Sequence, residues 1–330
     1  MNAVRFFRKV YEGDLSRLAM PPGRRDLARY LRNRALQPIG ARFARQHADP
    51  HQPVVLIVGP PRSGSTLLHT LVARYLDVTW VPNALASWWM SPAWAMSRRY
   101  GRCPSVDGLD ELVFDRGRTR GPNSPHEFGW FWRLYLGAPA TDEMTPEEIA
   151  RADWVGLARE IHGLAGLAGR PVVLKNPNAV DFQTRPLAEH LPSVRFVRVR
   201  RSLPHVVHSI LRARREVHGD VSRWWSVVPA NAASWSVLDP VEQVVRQVRA
   251  IEAALDAAEA ALPPGTLYTM TYEDLAADPD RALRDLASAA GLAVRGGADL
   301  AALRLEIRNA DLDDHPDHAR VQRALGGRPA

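Results

Sequence analysis

Lysine is almost missing from this chain: of 43 cationic residues, only Lys9 and Lys175 are lysines. An ammonium is a compact, mobile point charge where a guanidinium is a rigid planar fork, so the lysine in the body of the chain stands out. Cysteine is scarcer still. Cys103 is alone, which excludes an intramolecular disulfide framework and agrees with a reducing compartment. No apolar run approaches the ~18 residues that would span a bilayer. The opening MNAVRFFRKVYEGD has no apolar core of a secretory signal, so none is expected. These absences predict a cytoplasmic protein. With 46% hydrophobic and 24% charged residues the composition is that of an ordinary globular protein, long enough for one large α/β domain.

Charge is unevenly placed. Residues 1–50 hold eleven Lys/Arg against four acids, Glu12, Asp14, Asp26 and Asp49, a surplus equal to the net charge of +7 for the whole chain. We therefore divide the chain into a basic, helix-prone extension over residues 1–50 and one domain over 51–330. Such an extension can lie on an acidic membrane surface or pack on the domain as a solvated helix.

Five short apolar runs predict buried strands of a parallel sheet: Pro53–Val58, Val78–Val81, Pro171–Leu174, Val194–Val199 and Thr266–Met270. Helical patterns fall between them, over Thr66–Tyr75, Ala179–His190, Pro204–Arg214 and Pro240–Leu262. The alternation implies a doubly wound α/β sheet of the P-loop type. Ligands of such sheets bind at the carboxyl ends of the strands, here just after Val58, Leu174 and Val199. Two tryptophan-rich insertions, Pro82–Gly169 and Glu216–Asp239, interrupt the pattern. Long insertions at that end are expected to form a lid or acceptor pocket.

Directly after the first strand comes Gly59-Pro60-Pro61-Arg62-Ser63-Gly64-Ser65-Thr66, then the helical LLHTLVARYL. Two glycines allow a tight turn whose amides, with the helix N-terminus, point at an anion. The spacing follows GxxxxG-K-[ST], but Ser65 replaces the lysine that neutralises β- and γ-phosphates in nucleoside triphosphatases. No apolar strand ends in an Asp suited to Mg²⁺, and no metal site is expected. A donor with one phosphate and one sulfate at its 5′ end would not need the missing lysine.

The run VVLIVGPPRSGSTLL resembles the 5′-phosphosulfate loop of the sulfotransferase family, in particular its bacterial branch and the protein-tyrosine sulfotransferases. The resemblance implies donor contacts from Pro61, Arg62, Ser63, Gly64, Ser65, Thr66 and Leu67. VRFVRVRRSLPHVVHSIL is similar to the family's 3′-phosphate block and places Arg201 and Ser209 at its contact positions, although Ser202-Leu203 stands where the family has Asp-Pro. A strand-end Arg can pair bidentately with a phosphate. VVLKNPNAVDF resembles the stretch whose lysine, here Lys175, neutralises the leaving phosphate oxygen, and TMTYEDLAADP, with Tyr272, resembles a further family block. The resemblance runs from about Val54 to Leu292. It implies that 51–330 is a sulfotransferase domain using 3′-phosphoadenosine 5′-phosphosulfate as co-substrate.

Sulfuryl transfer also needs a proton acceptor. The glutamate that the tyrosine-modifying branch carries soon after the loop helix is absent, since Val81-Pro82-Asn83-Ala84 has no acid. Ser124-Pro125-His126-Glu127 resembles an S-P-x-E segment of bacterial relatives, making Glu127 and then His126 the candidates; Glu127 could equally cap the helix that follows. The expected acceptor is a small molecule, lipid or carbohydrate, not a nucleic acid. Peripheral membrane contact through residues 1–50 and a homodimer are compatible with the sequence. The competing readings are a P-loop kinase or NTPase and a catalytically silent nucleotide-binding protein.

Overall fold

The computed structural model describes residues 24–109, 114–115, 118–137, 139–306, 309, 312 and 317–326. The first part of the basic extension therefore lies outside the described residues. Four strands form the central sheet: β1 (Val54–Val58), β2 (Val172–Lys175), β3 (Val194–Arg200) and β4 (Leu267–Thr271). Their order is β2-β1-β3-β4, with every neighbouring pair parallel. Leu56 sits between Leu174 and Phe196 in this register.

Parallel strands rich in valine bury both faces at the centre of the sheet. Val54, Leu56, Val58, Leu174 and Phe196 belong to one apolar cluster, and Val55, Ile57, Val173, Val197 and Val199 to the other. Helices cover the first face with α1 (Arg24–His47), α3 (Pro92–Tyr100), α4 (Gly129–Leu136) and α5 (Trp154–Ala168). The second face carries α2 (Ser65–Tyr75) and, after β4, α8 (Tyr272–Ala277) and α9 (Pro279–Ala290). Between β3 and β4 run α6 (Leu203–His218) and α7 (Pro240–Ala261), and α10 (His318–Gly326) packs with them. The chain leaves β1 for β2 on one side and returns to β3 on the other. Strand order thus reverses at β1, and the loop after β1 opens on that crevice.

Part of the basic extension is built into this architecture. A Cβ on Gly166 of α5 would lie 1.8 Å from the His47 carbonyl oxygen, and one on Gly163 would meet Ala44 at 2.9 Å. Only glycine lets α1 approach that closely. Asn33 ties the same helix to the first insertion by accepting from the Met90 amide at 3.1 Å and donating to the Ser87 carbonyl at 2.8 Å.

Two sequence expectations are corrected. Val78–Val81 is no fifth strand: only Thr79 bridges to Val172, beside β2. Trp80 turns its indole N–H to the Asn123 carbonyl, and Pro82 has no N–H to extend a ladder. The helix expected over Ala179–His190 is two short pieces, Pro177–Val180 and Thr184–His190. Pro186 is harmless in a first helical turn but would break a continuous helix.

Candidate active site

The loop between β1 and α2 is shaped by backbone that few side chains tolerate. Gly59 has φ 137°, and a Cβ there would fall 2.5 Å from the Val199 carbonyl oxygen. Gly64 has φ 97°, with the Tyr272 ring 2.6 Å from where its Cβ would be. Between them Arg62 adopts φ 72°, an uncommon state for a residue with a side chain that points to a local functional constraint. Ser63 donates its amide to Pro60 at 3.1 Å, closing the turn. Helix α2 then begins at Ser65 with Gly64 as its N-cap and no side-chain cap. Its first amides and the positive end of its dipole therefore face the crevice, a ready anion site. Pro61, Ser65, Thr66 and Leu67 lie in this loop and first turn.

On one flank the loop meets the end of β3. Arg62 donates from Nε to the Ser209 hydroxyl at 2.8 Å. Arg201 donates to the Arg62 carbonyl at 3.0 Å and to Asn309 Oδ1 at 3.0 and 2.8 Å. Its guanidinium lies 4.4 Å from the centre of the Tyr272 ring. The structure thus brings Arg62, Arg201, Ser209 and Tyr272 together from four places in the sequence. Burial lowers the pKa of both arginines, and for both the nearby Arg212 adds to the fall. Three guanidiniums gathered this closely make a field suited to a multiply charged anion. Not every arginine of this strand behaves alike. Arg198 is fully buried and paired with Glu252, Asp256 and Glu259 of α7, a structural role.

The other flank carries Lys175, buried at the end of β2. Its Nζ donates to Thr66 Oγ1 at 2.8 Å and to Glu127 Oε1 at 2.5 Å. The Glu127 side chain is 39% exposed, so its carboxylate reaches solvent from beside a buried ammonium. Asn176 holds the Glu127 carbonyl at 3.1 Å. The cap expected as an alternative role for Glu127 gives way to this arrangement: α4 starts from Phe128 in a left-handed conformation, φ 56°, without a side-chain cap. His126 accepts from the Phe128 amide through Nδ1 at 2.9 Å. A neutral ring in that arrangement carries its proton on Nε2.

Residues that sequence reasoning missed complete the site. His69 of α2 is buried and hydrogen-bonded to the Val173 backbone. Burial first, and Lys175 second, depress its pKa to about 3. It stays neutral at working pH and is too weak a base to take a proton. Its place three residues after Thr66, on the same helical face, was the only signal in the sequence. Arg212 stands in the same relation to Ser209.

The two insertions meet at Asp142. Its carboxylate accepts from Asn178 Nδ2 and from the Val228 amide, each at 2.7 Å, and its own amide donates to the Val228 carbonyl at 2.8 Å. Glu143 accepts from the Ala230 amide at 2.9 Å. The first insertion, the turn after Lys175 and the second insertion are thereby tied together. The tryptophans divide by role: Trp80 and Trp132 are fully buried packing residues, whereas Trp88, Trp94, Trp130, Trp224 and Trp235 are part-exposed and stack or tilt against other tryptophans. Among the described residues no cluster of His, Cys, Asp and Glu is arranged to hold a metal ion, and no helix is long and apolar enough to cross a membrane.

Comparisons with known proteins agree with this geometry. Sulfotransferase STF9 from Mycobacterium avium superposes with a TM-score of 0.52 at 13% identity, covering 87% of this chain and 72% of that one. Sulfotransferase STF1 from Mycobacterium tuberculosis gives 0.49 at 17% identity, covering 88% and 83%. At 13% identity the first of these superpositions shows a shared fold alone. Among curated protein sequences none matches. The model of the sulfotransferase family matches residues 53–296, an interval that contains the glycine loop, Lys175, Glu127 and the Arg201–Ser209 pair, and the chain belongs to that family.

Proposed function

We propose that this protein transfers the sulfuryl group of 3′-phosphoadenosine 5′-phosphosulfate to a hydroxyl or amine of a small-molecule, lipid or carbohydrate acceptor. The observation that carries the reading is the contact of Lys175 with both Thr66 and Glu127. It joins the helix N-terminus that would hold the donor to the one exposed carboxylate beside it. The fit to the donor is supported by a loop whose glycines leave no room for a Cβ, and by the gathering of Arg62 and Arg201, both with pKa values lowered by burial, at its edge.

In this reading Pro61 to Leu67 cradle the 5′-phosphosulfate through amides, the Ser65 and Thr66 hydroxyls and Arg62. Arg201 and Ser209 take the 3′-phosphate, and Tyr272 fixes Arg201 by stacking. The acceptor oxygen forms a bond to sulfur as the bridging sulfur–oxygen bond breaks, and the electron pair leaves on the phosphate oxygen. Lys175 neutralises that oxygen, an interaction strongest in the transition state. Glu127, hydrogen-bonded to the Lys175 ammonium, receives the acceptor proton. His126, with Nδ1 occupied and its proton on Nε2, orders the Glu127–Phe128 turn. With Ser65 in place of the triphosphatase lysine, the reaction is expected to need no Mg²⁺.

The donor assignment is tested by calorimetry. Adenosine 3′,5′-bisphosphate should bind far more tightly than AMP or ATP, with or without EDTA. Arg201→Ala should cost about 2–3 kcal/mol of that binding, the range for a charged bidentate contact. Equal affinity for AMP and the bisphosphate would sink the 3′-phosphate assignment. A radiolabelled-donor screen over aromatic, lipid and sugar acceptors then identifies the second substrate. The exposed side of α1 fits peripheral contact with anionic lipid: Leu31 and Ile39 are each 55% exposed, Arg34, Arg42 and Arg45 are exposed beside them, and residues 28–47 contain no acid. Together they supply the apolar and cationic parts of an interfacial helix.

A further inference from the structure

One carboxyl group at the base of the site is used by none of the roles above. Asp181 lies in the turn that follows Lys175 and is fully buried. Its Oδ1 accepts from the Gly59 amide at 3.1 Å, and its Oδ2 makes no hydrogen bond among the described residues. Gly59 is where the chain leaves β1, in a conformation that glycine alone supports there. Its amide therefore needs a fixed acceptor other than the ligand, and the acceptor comes from the Lys175 turn. A single side chain ties together the two parts that handle the anion.

Charged groups surround it. Lys175 faces it from β2, Glu252 from α7 and Asp142 from the first insertion. Burial drives its pKa well above the usual carboxylate range. The Gly59 amide and Lys175 act in the opposite direction, and the two acids add to the rise. An anion directly under a loop that binds a dianion would also oppose the ligand at short range. The orphan Oδ2 is better tolerated in a neutral acid than in a buried carboxylate.

We propose that Asp181 is a positioning residue of the donor site: it pins the first amide of the phosphate loop and holds that loop in register with Lys175. The proposal rests on the reading that this loop binds the donor. An asparagine, which offers the same acceptor and can never ionise, should do the same work.

The experiment measures the affinity of the full chain for adenosine 3′,5′-bisphosphate by calorimetry, for wild type, Asp181→Asn and Asp181→Ala. The Asn variant, which keeps an acceptor for the Gly59 amide, is expected within about threefold of wild type. Asp181→Ala leaves the Gly59 amide unheld and should weaken binding about tenfold or more. An Ala variant that binds as tightly as wild type would overturn the positioning role. So would an Asn variant as weak as the Ala variant. If Asp181→Ala does not fold, an Asn variant about tenfold weaker than wild type would overturn it instead. A wild type that binds no bisphosphate would refute the donor reading itself, and this one with it.

Discussion

The two flanks of the crevice are made by different means. The flank proposed to hold the donor consists of strand ends, a glycine turn and the first turn of α2, so the backbone supplies most of its polar groups. The acceptor flank consists of loops held in place by side chains: Asp142 on Val228 and Asn178, Asn176 on Glu127, and His126 on the Phe128 amide. A flank defined by backbone tolerates change wherever glycines and spacing are kept. A flank defined by side-chain tethers can be dismantled one residue at a time, and its specificity can be changed without touching the donor.

Four substitutions break or sharpen that contrast. The largest effects belong where the flanks touch. Glu127→Gln should lower transfer by ~10²–10⁴-fold, the range for a lost general base, with bisphosphate affinity unchanged. Lys175→Ala should lower kcat by ~10²-fold or more, with a smaller loss of bisphosphate affinity, because its charge acts mainly as the bond breaks. Near-normal turnover in both Glu127→Gln and His126→Ala would remove the proton-acceptor role from the first insertion.

A smaller effect is expected at Asp142→Ala, which removes two hydrogen bonds to an ionised carboxylate. It should destabilise the fold by about 3 kcal/mol and raise the KM for the acceptor while the donor KM holds. Equal increases in both KM values would show that the flanks are not independent.

The smallest effect lies behind the acceptor flank. Glu160 of α5 is fully buried beside Arg159, and burial raises its carboxyl from the ordinary value to about 7. Below about pH 4 it is protonated in both folded and unfolded chains and is neutral in the balance. As pH rises towards 7 the unfolded chain ionises first, so the native state loses stability, and the loss is complete above the folded pKa. Glu160→Gln should therefore raise the melting temperature at pH 8, by about 2 kcal/mol in stability, with little change near pH 4. An unchanged melting temperature at pH 8 would place the ionised side chain in a better-solvated site than its burial implies.

The same contrast explains how much could be read from the sequence. Four sheet strands and the glycine loop were legible because each is contiguous and carries a period or a spacing, whereas Arg201 and Ser209 were singled out by the resemblance to a family block. Val78–Val81 looked like a strand because its residues suit one, but Pro82 and the Trp80 hydrogen bond end it after a single bridge. Asp142 and Asp181 gave no signal. Each is an isolated acid in a polar stretch, and its role exists only through partners distant in the chain. Lys175 was visible for a compositional reason, standing out in a sequence that writes its cations as arginine.

The position of β1 between β2 and β3 has a consequence for how the protein is made. Val54 is paired with Val172 on one side and Val194 on the other, so β1 waits for two strands that are translated much later. Pairings between such distant segments are slow to form and leave apolar edges exposed meanwhile. On the ribosome the glycine loop emerges before the groups that shape it, the Val199 carbonyl, the Asp181 carboxyl and the Tyr272 ring. A nascent chain halted before Tyr272 would display the whole loop sequence without the cradle, which is complete only once that ring has been made.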